Sequence, residues 1–255
     1  MPSKIERFVA GQAEVQGWFS AQAAATWDCL LQHQNDRGVT GNTLEIGVWH
    51  GKSASMLLMH TDTTRELCVL VDRVKREAEL QRTMQVMGIQ AGPYLKYLDT
   101  PAERLLHTKL VSDGAGKFRW IHIDGEHTGV DVVRNLEFAD HLLSDQGIVC
   151  LDDFFSWRYP QVTTAALRYI ENNPHRFTLI LTGYNKGYLC RPMKAYLYLD
   201  YLVQTLPAAM QDRGFPIAVA KTTYPTDGLT CGIGPRAEPE QLLIGPDFAP
   251  ELVRV

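Results

Sequence analysis

Apolar residues along this chain follow two periods. Short apolar runs at Leu44 to Ile46, Leu67 to Val71, Tyr94 to Leu98, Trp120 to Ile123 and Ile148 to Leu151 read as strands. Between them, apolar residues recur at helical spacing. Ala23, Trp27, Leu30 and Leu31 share one face of a segment from Ser20 to Gln34, with Ser20 as its N-cap. Further helices are expected from near Lys52, from Lys75 to Met87, and on Val130, Val133, Leu136, Ala139, Leu142 and Leu143, with Gly147 where that helix would end. Pro101 opens a short helix, P-A-E-R-L-L, the S-D-G-A-G-K stretch after it reads as a loop, and Thr163 to Glu171 is a last helix of this series.

Strand and helix alternate, which predicts an α/β fold with a doubly wound, mostly parallel sheet. The following F-T-L-I-L-T-G-Y-N-K-G-Y-L-C breaks the alternation. It predicts an antiparallel C-terminal hairpin on the sheet edge, turning at Asn185-Lys186-Gly187. Ala195 to Met210 reads as one amphipathic helix. From Gly214 to Val255 the periodicity fades, apart from A-V-A-K-T-T-Y; an extra hairpin, a covering arm and a partner-binding segment all stay open. Without an internal repeat, the 255 residues are expected to form one domain: a helical segment over 1–40, a core over 41–190 and an extension over 191–255.

Composition narrows the class. Hydrophobic residues at 45% and charged residues at 21% suit a globular protein with a full core, and a net charge of -4 speaks against nucleic acid as a partner. The N-terminal M-P-S-K-I-E-R-F carries no apolar run of the kind a signal peptide or membrane span needs, so no membrane partner is expected. Five scattered cysteines, none in a C-x-x-C spacing, argue against a disulfide framework or zinc site and favour a reducing, cytoplasmic location. The oligomeric state, a homo-oligomer included, is left open.

The chemistry concentrates at strand ends. Trp120 to Ile123 stops at Asp124-Gly125, and Ile148 to Leu151 stops at Asp152-Asp153. A crossover between parallel strands brings these three carboxylates to the C-terminal sheet edge, where open α/β sheets bind ligands. Such a cluster repels itself unless a cation or proton joins it, which suggests a metal-assisted site.

A second motif, L-E-I-G-V-W-H-G-K-S, follows the first strand with a glycine turn. It lacks the middle glycine of a dinucleotide fingerprint, and Gly47 and Gly51 enclose one residue too few for a phosphate loop. A magnesium nucleotide hydrolase therefore remains only as an alternative. The E-x-G-x-x-x-G turn instead resembles the first motif of class I S-adenosylmethionine-dependent methyltransferases. Asp72, closing the next strand, suits a ribose diol; the bland reading is a cap on the following helix. Trp18 and Phe19 read either as a packing staple or as a lid over the site.

Together, L-E-I-G-V-W-H-G-K-S, V-L-V-D, I-D-G-E-H and Q-G-I-V-C-L-D-D-F resemble the bacterial small-molecule methyltransferases that include the macrolide-sugar O-methyltransferases, related to the catechol type. The resemblance covers about residues 40 to 190. It implies a Rossmann-like methyltransferase fold with S-adenosylmethionine as cofactor and a small hydroxylated substrate. It implies that Glu45, Gly47, Gly51 and Ser53 surround the cofactor's amino-acid end, that Asp72 takes its ribose, and that Asp99 and Thr100 flank adenine. Asp124 would face the methionine, and Asp124, Asp152 and Asp153 match a magnesium site. His127 and Asp124 are the expected catalytic residues, with His127 as proton acceptor. Bland readings stand beside these: Asp152 as an ion-pair partner of Arg158, Asp153 as a helix cap, and His122 as a packed strand histidine. Thr128 stands where the family often has tyrosine, Gln146 replaces one glycine of a pair, and no lysine base follows His127. A metal-independent N- or O-methyltransferase and a cofactor-binding scaffold without turnover also stay open.

Overall fold

Strands whose residues are apolar on both sides need cover on both faces, and the chain supplies it. The computed structural model describes residues 2–221 and 230–236. These form a nine-stranded sheet in the order β3-β2-β1-β4-β5-β7-β6-β9-β8. Strands β1 (Asn42–Ile46), β2 (Cys68–Asp72), β3 (Leu95–Asp99), β4 (Phe118–Ile123) and β5 (Leu143–Asp152) pair in parallel. Antiparallel pairing begins with β7 (Lys186–Cys190), which lies between β5 and β6 (Thr178–Gly183).

On one face lie α1 (Lys4–Gly11), α2 (Ala21–Asp36), α3 (Ala54–His60), α4 (Glu77–Val86), α8 (Tyr196–Gln204) and α9 (Leu206–Asp212), packed through Phe8, Trp27, Leu30, Met56, Leu80 and Leu202. The other face is covered by α6 (Gly129–Leu142) and α7 (Pro160–Asn172), with α5 (Lys109–Gly114) at its margin, through Val132, Leu136, Leu142, Val162 and Ala166. Ser20 caps α2, its Oγ accepting from the Ala23 amide at 3.1 Å.

Several expectations change. The β6–β7 hairpin is interior, because β8 (Ile217–Lys221) and β9 (Cys231–Pro235) extend the sheet beyond it; the extra-hairpin reading of the tail fits these strands, while 222–229 and 237–255 lie outside the described residues. Its turn is the pair Tyr184-Asn185, both at positive φ (51° and 65°), which suits a two-residue hairpin and makes Lys186 a strand residue. Gly147 lies inside β5, where a Cβ would meet the Phe118 carbonyl at 2.8 Å, so α6 ends without it. Ala195 to Met210 is two helices rather than one, with Pro207 in the first turn of the second. Part of S-D-G-A-G-K is the short helix α5, and P-A-E-R-L-L is a 3-10 turn, Ala102–His107. On α6 it is Val132, not the exposed Val130, that faces the core.

Candidate active site

The parallel strands end together, and their last residues carry the polar groups. Asp72 and Asp99 are register partners at the ends of β2 and β3, and β4 runs out at Ile123 beside Ile46 and Leu151. The turns leaving these ends surround a cleft of about 540 Å³. Gly47, Asp72, Thr100, Asp124, His127, Asp152 and Asp153 all line it.

Gly47 fixes the meeting of two turns. Its φ of +89° is a glycine conformation, and a methyl there would run into the Asp124 carbonyl oxygen. The Asp124 amide donates to the Ile46 carbonyl at 2.8 Å, so β4 leaves the sheet directly against the β1 turn. Asp72 neither caps α4 nor stands free: Oδ2 accepts from the Val48 and Trp49 amides at 3.0 and 2.8 Å, and Oδ1 from the Val74 amide at 3.1 Å. It thereby holds the glycine turn while facing the cleft.

Four expected cofactor contacts stand outside the cleft lining. Glu45 alternates with the inward Leu44 and Ile46 of one layer, so its side chain enters the other, beside α2, fully buried. There Oε1 accepts from Ser53 Oγ and pairs with His122 Nδ1 at 2.9 Å. Ser53 is thus turned toward Glu45 rather than toward the cleft. Gly51 serves packing, since a Cβ would lie 2.6 Å from Leu80 Cδ1, and Asp99 is exposed beyond the rim. His122 is the packed strand histidine expected, edge-on to Trp27 at 4.6 Å, but its Nε2 has no hydrogen-bond partner and lies 4.0 Å from Asp152 Oδ2.

The carboxylates are held individually. Asp153, at φ +54°, pairs through Oδ2 with His127 Nε2 at 2.8 Å and accepts from Asn185 Nδ2 at 2.7 Å; it caps no helix. These bonds hold its carboxyl below the usual range although partial burial pulls the other way. Asp152 pairs not with Arg158 but with Lys186, Oδ1 to Nζ at 2.5 Å, an interaction that the sequence pattern did not point to. Lys186 is 2% exposed, with its ammonium 5.3 Å from the Phe19 ring centre. Burial disfavours both charges, yet each partner keeps the other ionised: Asp152 stays below its ordinary value and Lys186 above.

Asp124 has no such buried ammonium. Burial first, and the Asp152 charge second, push its carboxyl up to about 7. His127 moves the same way for the opposite reason: hydrogen bonds to Asp124 and Asp153 raise it to about 9, and its ring stacks on Tyr159 at 4.1 Å. Trp18 is 89% exposed at the cleft wall, whereas Phe19 is buried against Phe8 and Trp27, so the pair divides between wall and staple. Arg158 and Tyr159 also line the cleft, while Trp157 points away into solvent. Glu126, ion-paired with Arg73 across the cleft, and Asn185 carry no sequence signal of their own; only their nearness to D-D and I-D-G could have pointed to them.

For a metal, two groups among the described residues bring donor atoms within 4.8 Å of one another: His122, Asp124 and Asp152, and Asp124, His127 and Asp153. The trio Asp124, Asp152 and Asp153 is not such a group, and each group that is contains an imidazole. Magnesium takes oxygen ligands. A divalent ion about 4 Å from the Lys186 ammonium would also meet a repulsion of about 8 kcal/mol at an effective dielectric of about 20. As arranged, these donors do not fit an oxygen-only ion.

Residues 44–154, from the first strand through both carboxylate motifs, match a family model described as a methyltransferase domain. Over this stretch the chain is similar to methyltransferase domains. None of the curated proteins matches the chain. Among solved structures, the O-methyltransferase NovP is similar with a TM-score of 0.54 at 15% identity, over 69% of this chain and 83% of that one. The SAH-bound methyltransferase PaMTH1 of Podospora anserina gives 0.51 at 18%, over 75% and 88%. The MycE methyltransferase of the mycinamycin biosynthetic pathway, in complex with Mg and SAH, gives 0.54 at 13%, over 74% of this chain and 55% of that one. The likeness to these structures is one of fold. Their α/β sheet corresponds in fold to the one that gathers the cleft residues here.

Proposed function

We propose that the chain transfers a methyl group from S-adenosylmethionine to a hydroxyl of a small molecule. One observation carries the reading: a single cleft joins the glycine turn and Asp72 on one side to the Asp124, His127 and Asp153 cluster on the other, within the matched domain. When bound, S-adenosylmethionine supplies an activated methyl group on a sulfonium. The cleft suits it in donor chemistry, with Thr100 and Asp72 available to its adenosine and the Gly47 turn giving close backbone approach.

The remaining task is to orient an acceptor and remove its proton. Of the two expected catalytic residues, Asp124 suits proton removal better. A carboxylate with its affinity for protons raised toward neutrality accepts one from a hydroxyl while remaining largely ionised above that pH. His127 holds its proton too tightly for this at neutral pH and serves as the charged partner that keeps Asp153 ionised. Tyr159, stacked on His127, and the exposed Trp18 offer flat faces to an acceptor ring.

Calorimetric titration with S-adenosylmethionine, S-adenosylhomocysteine and ATP tests the cofactor. Binding of both sulfur ligands without ATP is expected. Binding of ATP alone would return the chain to the nucleotide-hydrolase alternative. Incubation with hydroxylated and amino acceptors, read as one added methyl by mass, separates oxygen from nitrogen transfer.

A further inference from the structure

The sheet-edge carboxylate that sequence assigned to a metal carries a cation of its own. Lys186 opens β7 directly opposite Asp152 in the β5–β7 ladder, so backbone pairing sets the ammonium against the carboxylate. The ammonium is enclosed. Its pairing distance is 2.5 Å, the Phe19 ring stands beside it, and the next residue, Gly187, has its Cα so close to Phe154 that a Cβ would fall 2.7 Å from the ring. Moving the strand outward would break the ladder, and rotating Lys186 away would leave Asp152 buried without a partner. The same Asp152 oxygen also accepts from the Asp153 amide at 2.7 Å, so it is doubly engaged.

We propose that Lys186 takes the place of a divalent ion at this sheet edge: its ammonium neutralises Asp152, and methyl transfer proceeds without a metal. The assignment rests on the methyl-transfer reading for its catalytic meaning, but the cation site itself is open to direct measurement. Asp124, which shares His127 with Asp153, is then left to meet the positive charge of a bound sulfonium cofactor.

The probe is Mn2+ alone, followed by electron paramagnetic resonance on the full chain. The wild type is expected to show no bound Mn2+ at millimolar concentration. Lys186→Met keeps the apolar length of the side chain, removes the charge, and is expected to gain at least tenfold in Mn2+ affinity. Lys186→Arg keeps the charge and should gain nothing. Wild-type binding of Mn2+ at millimolar concentration, or a folded Lys186→Met protein that gains no Mn2+, would overturn the proposal. Should Lys186→Met fail to fold, the wild type and Lys186→Arg decide it, because Mn2+ bound by either contradicts it and none bound by either upholds it. Calorimetry with S-adenosylhomocysteine on the same samples keeps the two readings apart: its failure in wild type removes the methyl-transfer reading and leaves the Mn2+ result standing.

Discussion

At Asp124, burial and a second carboxylate act in the same direction, while at Asp153 two hydrogen bonds act in the other. Neighbouring acids thereby acquire different roles on one sheet edge. The raised group is a base only when ionised, so activity should be lost as pH falls through about 7 and recovered above it. Asp124→Asn should lower kcat by roughly 10²- to 10⁴-fold and abolish that rise, while S-adenosylhomocysteine affinity, read by calorimetry, changes only a few-fold. A flat pH profile in the wild type would remove Asp124 from proton transfer. Asp124, Asp152 and Asp153 were legible in the sequence because each closes an apolar run at a strand end. Lys186 was not, since N-K-G reads as an exposed turn, and only the pairing of Asp152 with Lys186 across the ladder shows that its side chain is enclosed.

At the scale of elements, the five parallel strands and their crossovers followed from apolar periodicity, and the glycine turn from its spacing. Glu45 shows where periodicity stops. Alternation with Leu44 and Ile46 put it on the opposite face, but both faces are covered, so a facing-out position became a fully buried one. The bounds of the hairpin were missed because positive φ fell on Tyr184 and Asn185 rather than on the glycine. That glycine has another task. Gly187→Ala would press a methyl against Phe154, whose own position supports the Asp153 turn. A loss of about 1–3 kcal/mol in a denaturant titration is expected. A neutral result would mean that the hairpin can shift outward and that its hold on Lys186 is loose.

Across the whole molecule, the two edges of the sheet differ in kind. The C-terminal edge opens into the cleft, whereas the opposite edge is tied by Arg119, fully buried, to Glu66 at 2.9 and 3.0 Å and to the carbonyls of His60 and Gly41. Close by, His60 bonds Asp28 at 2.7 Å, and Asp28 also receives Arg213. Burial pushes His60 down to about 4, so the folded chain refuses a proton that the unfolded chain accepts near 6.5. Stability should therefore fall as pH drops from about 6.5 to 4, by up to about 3 kcal/mol from this residue, and His60→Gln should flatten that part of the curve. No described helix is long and apolar enough to cross a membrane. The five cysteines are all buried and unpaired, and burial raises each thiol. Cys29 sits in α2 and the other four in β2, β5, β7 and β9, so an alkylating reagent meets them only when the chain opens. Their separate labelling rates, read by mass, would time the breathing of each region, and Cys150 beneath the carboxylates should be the slowest.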